Sequence, residues 1–412
     1  MRAERRTTAD GSNGTLLPLV VTITIQALVS LSSLAAPVMA PAAARTTGLA
    51  AEQVGIFVGI VYVAASFSSL VSGDMVRRWG AIRMSQASLV LCALGLAAAA
   101  TGAPAMILLA AVLIGLGYGP VTPASSHILV RSTPSHRLGL TFSLKQTGVP
   151  LGGMMAGLAV PPLILVLGWQ VTAAVLAGLC LVATVVTQTI RAGLDDDRDP
   201  RRAISAAAPL RSLMQVFSTP AIRDIGVCSF FFGAMQLCLT TFLVIYLTTA
   251  HGMGLALAGS VLAVAQVAGV VGRIGWGWLS DRFIRPRLLL GLLGLAMGSA
   301  GIAFAMAGAS WPIFAFMAVA LVFGASAIGW NGIFLAEVAH LAPSGQAAAI
   351  SGATLFLTYA GVVVGPPAFA QVVARTGSFP FAYLAIGILM VLVGLFLILT
   401  RPRAGRRAGR LT

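Results

Sequence analysis

Uninterrupted apolar runs of about 20 residues recur along almost the whole of this 412-residue chain. Each is long enough to cross ~30 Å of hydrocarbon as a helix. No other feature constrains the fold as tightly, because lipid offers the backbone no hydrogen-bond partners and only helices or closed barrels can span it. The runs are continuous and do not alternate, which argues against a barrel. Charged residues make up only 9% of the chain and hydrophobic ones 58%, against about 25% charged in an ordinary soluble domain. The expectation is an all-α membrane protein of twelve spans, near residues 16–38, 53–71, 84–101, 104–130, 139–166, 169–190, 222–249, 254–280, 288–308, 311–336, 347–373 and 379–400. The first run is long and lacks a clear small-residue cleavage context, unlike a cleaved signal peptide.

A net charge of +15 invites a nucleic-acid reading, but its distribution fits topology instead. With the N-terminus in the cytoplasm, 22 of the 26 cations fall in the tails and loops of that side. Only Arg45 and Arg375 fall outside, and Lys145 and Arg273 lie within spans. Such an asymmetry orients the chain with both ends cytoplasmic and gives its inner surface some attraction to anionic lipid. No nucleic-acid partner is expected. The four cysteines all lie in spans and have no metal-ligand or disulfide spacing. No metal or cofactor is expected.

The longest polar stretch, Arg191 to Ser212, divides the chain. The expected plan is a cytoplasmic N-tail (1–15), a six-helix bundle (16–190), a cytoplasmic linker (191–221), a second bundle (222–400) and a cytoplasmic C-tail (401–412). The halves echo each other. "GDMVRRW" from Gly73 matches "GWLSDRF" from Gly277, Gln26 and Ser30 match Gln236 and Thr240, and Gly148 and Gly152 match Gly361 and Gly365. These pairs stand 204, 210 and 213 residues apart, nearly one offset. A duplicated unit around a midplane site is a transporter architecture.

"GWGWLSDRF" resembles the major facilitator signature, G-x-x-x-D-R-x-G, that lies between helices 2 and 3 and is repeated between helices 8 and 9. Gly277, Asp281 and Arg282 carry it in the second half, and Gly73, Arg78 and Gly80 in the first, where Arg77 stands at the aspartate position and Asp74 lies three residues earlier. The resemblance covers the whole chain and implies two pseudo-symmetric six-helix bundles that move solutes by alternating access. The span 4 arginine of many proton-linked drug antiporters is absent, and their span 5 motif is only approached, as "GVPLGG". "GRIGWGWLSDR" and "GLGYGP" look closer to the monocarboxylate, oxalate/formate and cyanate-type porters. In that group a span 8 arginine contacts the substrate anion, and Arg273 occupies the matching place.

Lys145, the only lysine of the chain, sits six residues into span 5, and Arg273 eight residues from the inner end of span 8. At 1.5 Å per residue these are depths of ~9 Å and ~12 Å. A cation at the centre of a span costs about 2.5–3.5 kcal/mol on insertion scales. No carboxylate lies at comparable depth; Glu337 is nearest, close to the inner end of span 10. Two such cations without an acid suggest that the negative charge arrives with the substrate, held by a guanidinium fork and an ammonium point charge. The plainer reading is that both side chains snorkel toward the inner surface, or that Lys145 binds carbonyls near Pro150.

Gln26, with Thr22, Ser30 and Ser33, forms a polar stripe on span 1, and Gln236 with Ser229 and Thr240 one on span 7. Tyr62, Tyr118, Trp330, Asn331 and Tyr359 complete the candidate substrate contacts. Each also has a structural reading, as an interhelical hydrogen bond or a packed aromatic. Collectively they suit a small organic anion, because apolar walls with few donors describe an organic-ligand cavity. Candidate gate residues are Asp74, Arg77, Arg78, Asp281, Arg282, His127, Arg131 and Glu337, expected to pair across the cytoplasmic ends of the helices. Interface anchoring is the commoner role for such residues.

The function expected is secondary active transport, at the inner membrane, of a small mono- or dicarboxylate, by proton symport or anion exchange. A single chain of this plan is a complete unit, so a monomer is expected. The alternative is an efflux pump for drugs or hydrophobic compounds on the same scaffold, which predicts a deep acidic residue. An enzyme is not expected, because no paired acids, metal cluster or Ser/His arrangement shares a depth.

Overall fold

The computed structural model describes residues 13–48, 54–201, 205, 207–308 and 310–400. Most of the N-tail and all of the C-tail expected from the sequence lie outside these. Twelve helical stretches of membrane length follow in order: α1 (Leu16–Ala40), α2 (Gly55–Trp79), α3 (Ala81–Ala100), α4 (Pro104–Ser132), α5 (Ser135–Leu167), α6 (Trp169–Gln188), α7 (Pro220–His251), α8 (Leu257–Arg282), α9 (Pro286–Ala305), α10 (Ile313–Leu341), α11 (Ala347–Thr376) and α12 (Phe379–Leu399). No strand occurs among the described residues. Prolines open α4, α7 and α9, where a missing N–H costs nothing.

Helices α1–α6 form one bundle and α7–α12 the other. The internal duplication is visible in the packing. An added Cβ on Gly152 would meet the Ala27 carbonyl of α1 at 2.4 Å, and one on Gly365 would meet Ala234 of α7 at 2.6 Å. The same small residue thus lets α5 press on α1 and, 213 positions later, α11 press on α7.

Several sequence boundaries shift. The residues Asp74, Arg77 and Arg78 lie in the last turns of α2, and Asp281 and Arg282 in the last turn of α8, not in loops. The connection from α2 to α3 is Gly80 alone, at φ 98°, where any side chain would be strained. Arg287 is not a loop cation: it is buried in the first turn of α9 and bonds Asp224 of α7 at 2.9 Å. The linker is not wholly irregular either. It contains a helix, Ala208–Ser218, whose buried Val216 faces the bundle while Leu210 and Met214 stay exposed.

The halves meet along two seams, α2 and α4 against α11, and α5 against α8 and α10. On the face that carries the linker, Asp281 accepts hydrogen bonds from the Gly139 and Leu140 N–H groups, both at 2.8 Å, so α8 of one half caps the start of α5 in the other. Ser69 donates to the Gly352 carbonyl at 3.3 Å, and the His340 ring lies 3.1 Å from the Ser135 carbonyl. These cross-half bonds close the linker face.

Candidate functional site

Two interrupted helices organise the centre of the molecule. The helix Leu138–Gln146 stops at Thr147 and restarts at Gly148. Residue 150, which would bond the Gln146 carbonyl, is a proline with no N–H. The helix Ile313–Ala327 likewise stops before Asn331–Leu341 resumes, leaving the Ile328 carbonyl outside regular helix. Arg273 of α8 takes both: Nη1 donates to the Gln146 carbonyl at 2.6 Å and Nε to the Ile328 carbonyl at 3.0 Å. Irregular backbone at membrane depth is tolerated where protein groups satisfy it or it lines a cavity. Here it does both.

The cavity lies between the halves, opens to solvent and has a volume of about 110 Å³. Gln26, Tyr62, Tyr118, Gln236, Arg273, Asn331 and Tyr359 line it, so seven of the nine candidate contacts converge there. Half-buried Thr240 and Val362, further from the linker face than Arg273, belong to its lining. Arg273 is only 3% exposed, yet its Nη2 makes no hydrogen bond among the described residues and is not sealed from the cavity. Two adjacent guanidinium nitrogens therefore keep unspent N–H groups, a spacing that matches the two oxygens of one carboxylate. No Asp or Glu is among the lining residues.

Lys145 is placed differently from expectation. It is fully buried behind the wall, and its Nζ donates to Gln26 Oε1 at 2.8 Å, Thr122 Oγ1 at 3.0 Å and Gln146 Oε1 at 3.0 Å. All three of its donors are spent on neutral oxygens. An ammonium accepts nothing, so each amide must turn its oxygen inward. Gln26 then sends its Nε2 to Ser30 at 3.3 Å, and Gln146 is left with only N–H groups for the cavity it lines. The lysine thereby fixes the polarity of the wall without touching its contents.

The second half repeats the theme without a cation. Gln236 Oε1 accepts from Trp330 Nε1 and Asn331 Nδ2, each at 3.1 Å. Trp330 is buried behind the wall, packed on Phe232 and Phe334. The position 213 residues after Lys145 is Thr358, which lines the cavity and donates to Ser229 at 2.8 Å. Gln146, Thr122, Val149 and Thr358 were missed in the sequence. The signal for Gln146 was present, a proline four residues on that orphans its carbonyl.

The gate candidates pair in ways the sequence did not suggest. His127 Nε2 lies 2.7 Å from Asp197, and Arg131 bonds both Asp196 and Asp197 at 2.6 Å, so α4 holds the linker and not the other half. Arg131 draws the exposed Asp196 carboxyl below its ordinary value, chiefly through this hydrogen bond. Asp195 accepts from the Ile82 and Arg83 N–H groups at 2.8 and 3.1 Å, capping α3. The Arg77 carbonyl accepts from Asp199, and Asp74 lies 3.5 Å from the Ser205 N–H. Arg78 is half-buried in the last turn of α2, Arg282 sits over the Trp278 ring, and Glu337 is half-buried near the C-terminal end of α10. Of the eight, Asp281 alone makes a described hydrogen bond from one half to the other.

The chain is similar along nearly its full length to the Hexuronate transporter of Bacillus subtilis, at 21% identity over 95% of this chain and 96% of that protein. It is 26% identical to an uncharacterized MFS-type transporter of Mycobacterium tuberculosis over 66% of its length, and the match spans 60% of that relative. It is also 26% identical to the 4-hydroxybenzoate transporter PcaK of Pseudomonas aeruginosa, over 63% of this chain and 64% of that one. Among solved structures, FucP in its outward conformation matches with a TM-score of 0.76 at 17% identity, covering 93% of this chain and 98% of that one. The human organic anion transporter MFSD10 matches at 0.70 and 15% identity, over 92% and 99%. The family pattern described as Major Facilitator Superfamily matches residues 22–366, and the chain belongs to that family.

Proposed function

We propose that this protein is a secondary transporter of a small organic anion, a carboxylate first of all, working by alternating access between its two halves. One observation carries the reading: Arg273 offers unspent N–H groups to a central cavity whose described lining holds no acid. A guanidinium there costs about 2.5–3.5 kcal/mol on insertion scales, and an anionic cargo offsets that cost whenever it binds. Relatives bearing the names of hexuronate, 4-hydroxybenzoate, galactarate/D-glucarate and sulfoacetate transporters support it. Arg273 contacts the anion, Gln146 and Gln236 donate to it, and Tyr62, Tyr118, Tyr359 and Asn331 shape the space around it. Lys145, Gln26 and Trp330 act from behind the wall. The linker face is cytoplasmic and the membrane is the cell's inner one, as the distribution of arginines indicates. The conformation described here then opens outward, and Asp281 with its neighbours holds the inner side shut. Charge balance calls for a co-transported proton or a counter-anion, and one chain suffices.

The test is the thermal stability of purified wild type and Arg273→Gln against small carboxylates, inorganic anions and lipophilic cations. A ligand at a hundredfold excess over its Kd stabilises by about 2.7 kcal/mol. Stabilisation by a carboxylate, absent in the variant, is expected. Stabilisation by lipophilic cations, kept in the variant, would make Arg273 structural and the protein an efflux pump.

A further inference from the structure

We propose that the cargo is a monocarboxylate with a flat, apolar body, of which an aromatic acid is the simplest case. Tyr62, Tyr118 and Tyr359 receive the body and Arg273 the head. This deepens the anion reading above and rests on it.

The cavity has two unlike sides. On the α5–α8 seam stand Arg273 and Gln146, with N–H groups to offer. On the other seam three tyrosines from three helices close on one another: Tyr62 of α2, Tyr118 of α4 and Tyr359 of α11. Their ring centroids lie 6.1, 6.0 and 6.2 Å apart, with interplanar angles of 72°, 49° and 60°. Such spacings and tilts are those of interacting aromatic pairs, which present edges and faces to a further ring. Two of the rings belong to one half and one to the other, so a planar body seated on them touches both halves.

The polar inventory points the same way. A hydroxyl-rich sugar acid needs an acceptor for each hydroxyl, and a site without one rejects it. Both glutamine oxygens of the first and seventh helices are occupied, Gln236 Oε1 by Trp330 and Asn331, and Gln26 Oε1 by Lys145 and Thr122. The Thr358 hydroxyl donates to Ser229. Val149, Leu237, Leu355 and Val362 complete an apolar lining. The wall thus has one cationic head site and a few amide, hydroxyl and phenol groups set among apolar side chains.

The experiment measures Kd for benzoate, cyclohexanecarboxylate, gluconate and benzamide on the full chain in lipid nanodiscs, as wild type, Arg273→Gln, Tyr359→Phe and Tyr359→Leu. Benzoate is expected to bind roughly tenfold more tightly than gluconate, with cyclohexanecarboxylate between them and benzamide weakest. Tyr359→Leu weakens benzoate by roughly threefold to tenfold and by more than it weakens gluconate, and Tyr359→Phe, which retains the ring, weakens benzoate less than Tyr359→Leu; Tyr62→Leu gives the same readout if Tyr359→Leu does not fold. Gluconate binding as tightly as benzoate, and lost in Arg273→Gln, overturns this inference while the anion reading stands. Benzamide equal to benzoate, or no binding by any acid, overturns both.

Discussion

At the scale of a residue, Lys145 shows how a charge can act on a ligand that it does not touch. Its ammonium donates to three neutral oxygens, and by claiming both glutamine oxygens it leaves N–H groups for the cavity. Removing it should not unfold the protein. Exchanging an unpaired buried charge for an apolar side chain removes its desolvation penalty, and the oxygens it leaves regain partners when the glutamine amides turn. Lys145→Met is therefore expected to keep or raise thermal stability. It frees the Gln146 amide to turn its oxygen toward the anion, so carboxylate affinity should fall by roughly tenfold, the worth of about one charge-assisted hydrogen bond. A neutral amide ligand should lose nothing. Thermal melts and Kd measurements on the same variant check both halves of the claim, and loss of fold together with unchanged affinity in the surviving protein would sink it.

At the scale of elements, the interrupted helices and the linker carry the argument. An alanine at position 150 restores the N–H that the Gln146 carbonyl lacks, and that N–H competes with Arg273 for it. Pro150→Ala should straighten α5 and weaken the Arg273 contact across the seam. Faster alkylation of a cysteine placed at Thr147 would report the loosening, and an unchanged rate would count against it. The linker is held by acids. Because Arg131 lowers the Asp196 carboxyl, this contact stabilises at pH values above the ordinary 3.8 and is lost only as pH falls through the lower folded-state value. Trypsin cleavage at Arg198 and Arg201 should be faster in Arg131→Ala than in wild type at the same pH. Much at this scale was legible in the sequence. Run length gave twelve spans, and the paired glycines at an offset of 213 gave the matching approaches of α5 to α1 and α11 to α7. Seven of the nine site candidates line one cavity because polar groups on apolar helices have few other places to be. What sequence could not give was direction: whether Lys145 points into the cavity or behind it depends on which neighbour's oxygen is nearer. The run Asp195–Asp197 read as part of a cytoplasmic linker, and only the fold brings Asp197 to His127 and Arg131.

At the scale of the molecule, the seal on the linker face is asymmetric. Asp281 caps the start of the helix Leu138–Gln146 across the seam, with both carboxylate oxygens engaged. The position 204 residues earlier holds Arg77 instead, so the acid stands in one half only. A carboxylate on exposed first-turn N–H groups favours the capped arrangement through hydrogen bonds and the helix dipole, by about 1–2 kcal/mol. That amount tilts a two-state equilibrium by a factor of roughly 5–30. Asp281→Ala removes a contact that ties the two halves on the linker face, so it should shift population toward the opposite opening without lowering the affinity of the cavity itself. Spin labels at exposed Arg137 and Arg285 report the linker face, and labels at Arg45 and Arg375 the far face. In the variant the first pair should move apart and the second draw together. If both distance distributions match wild type, the cap on α5 is local stabilisation of one helix and the state of the transporter is set elsewhere.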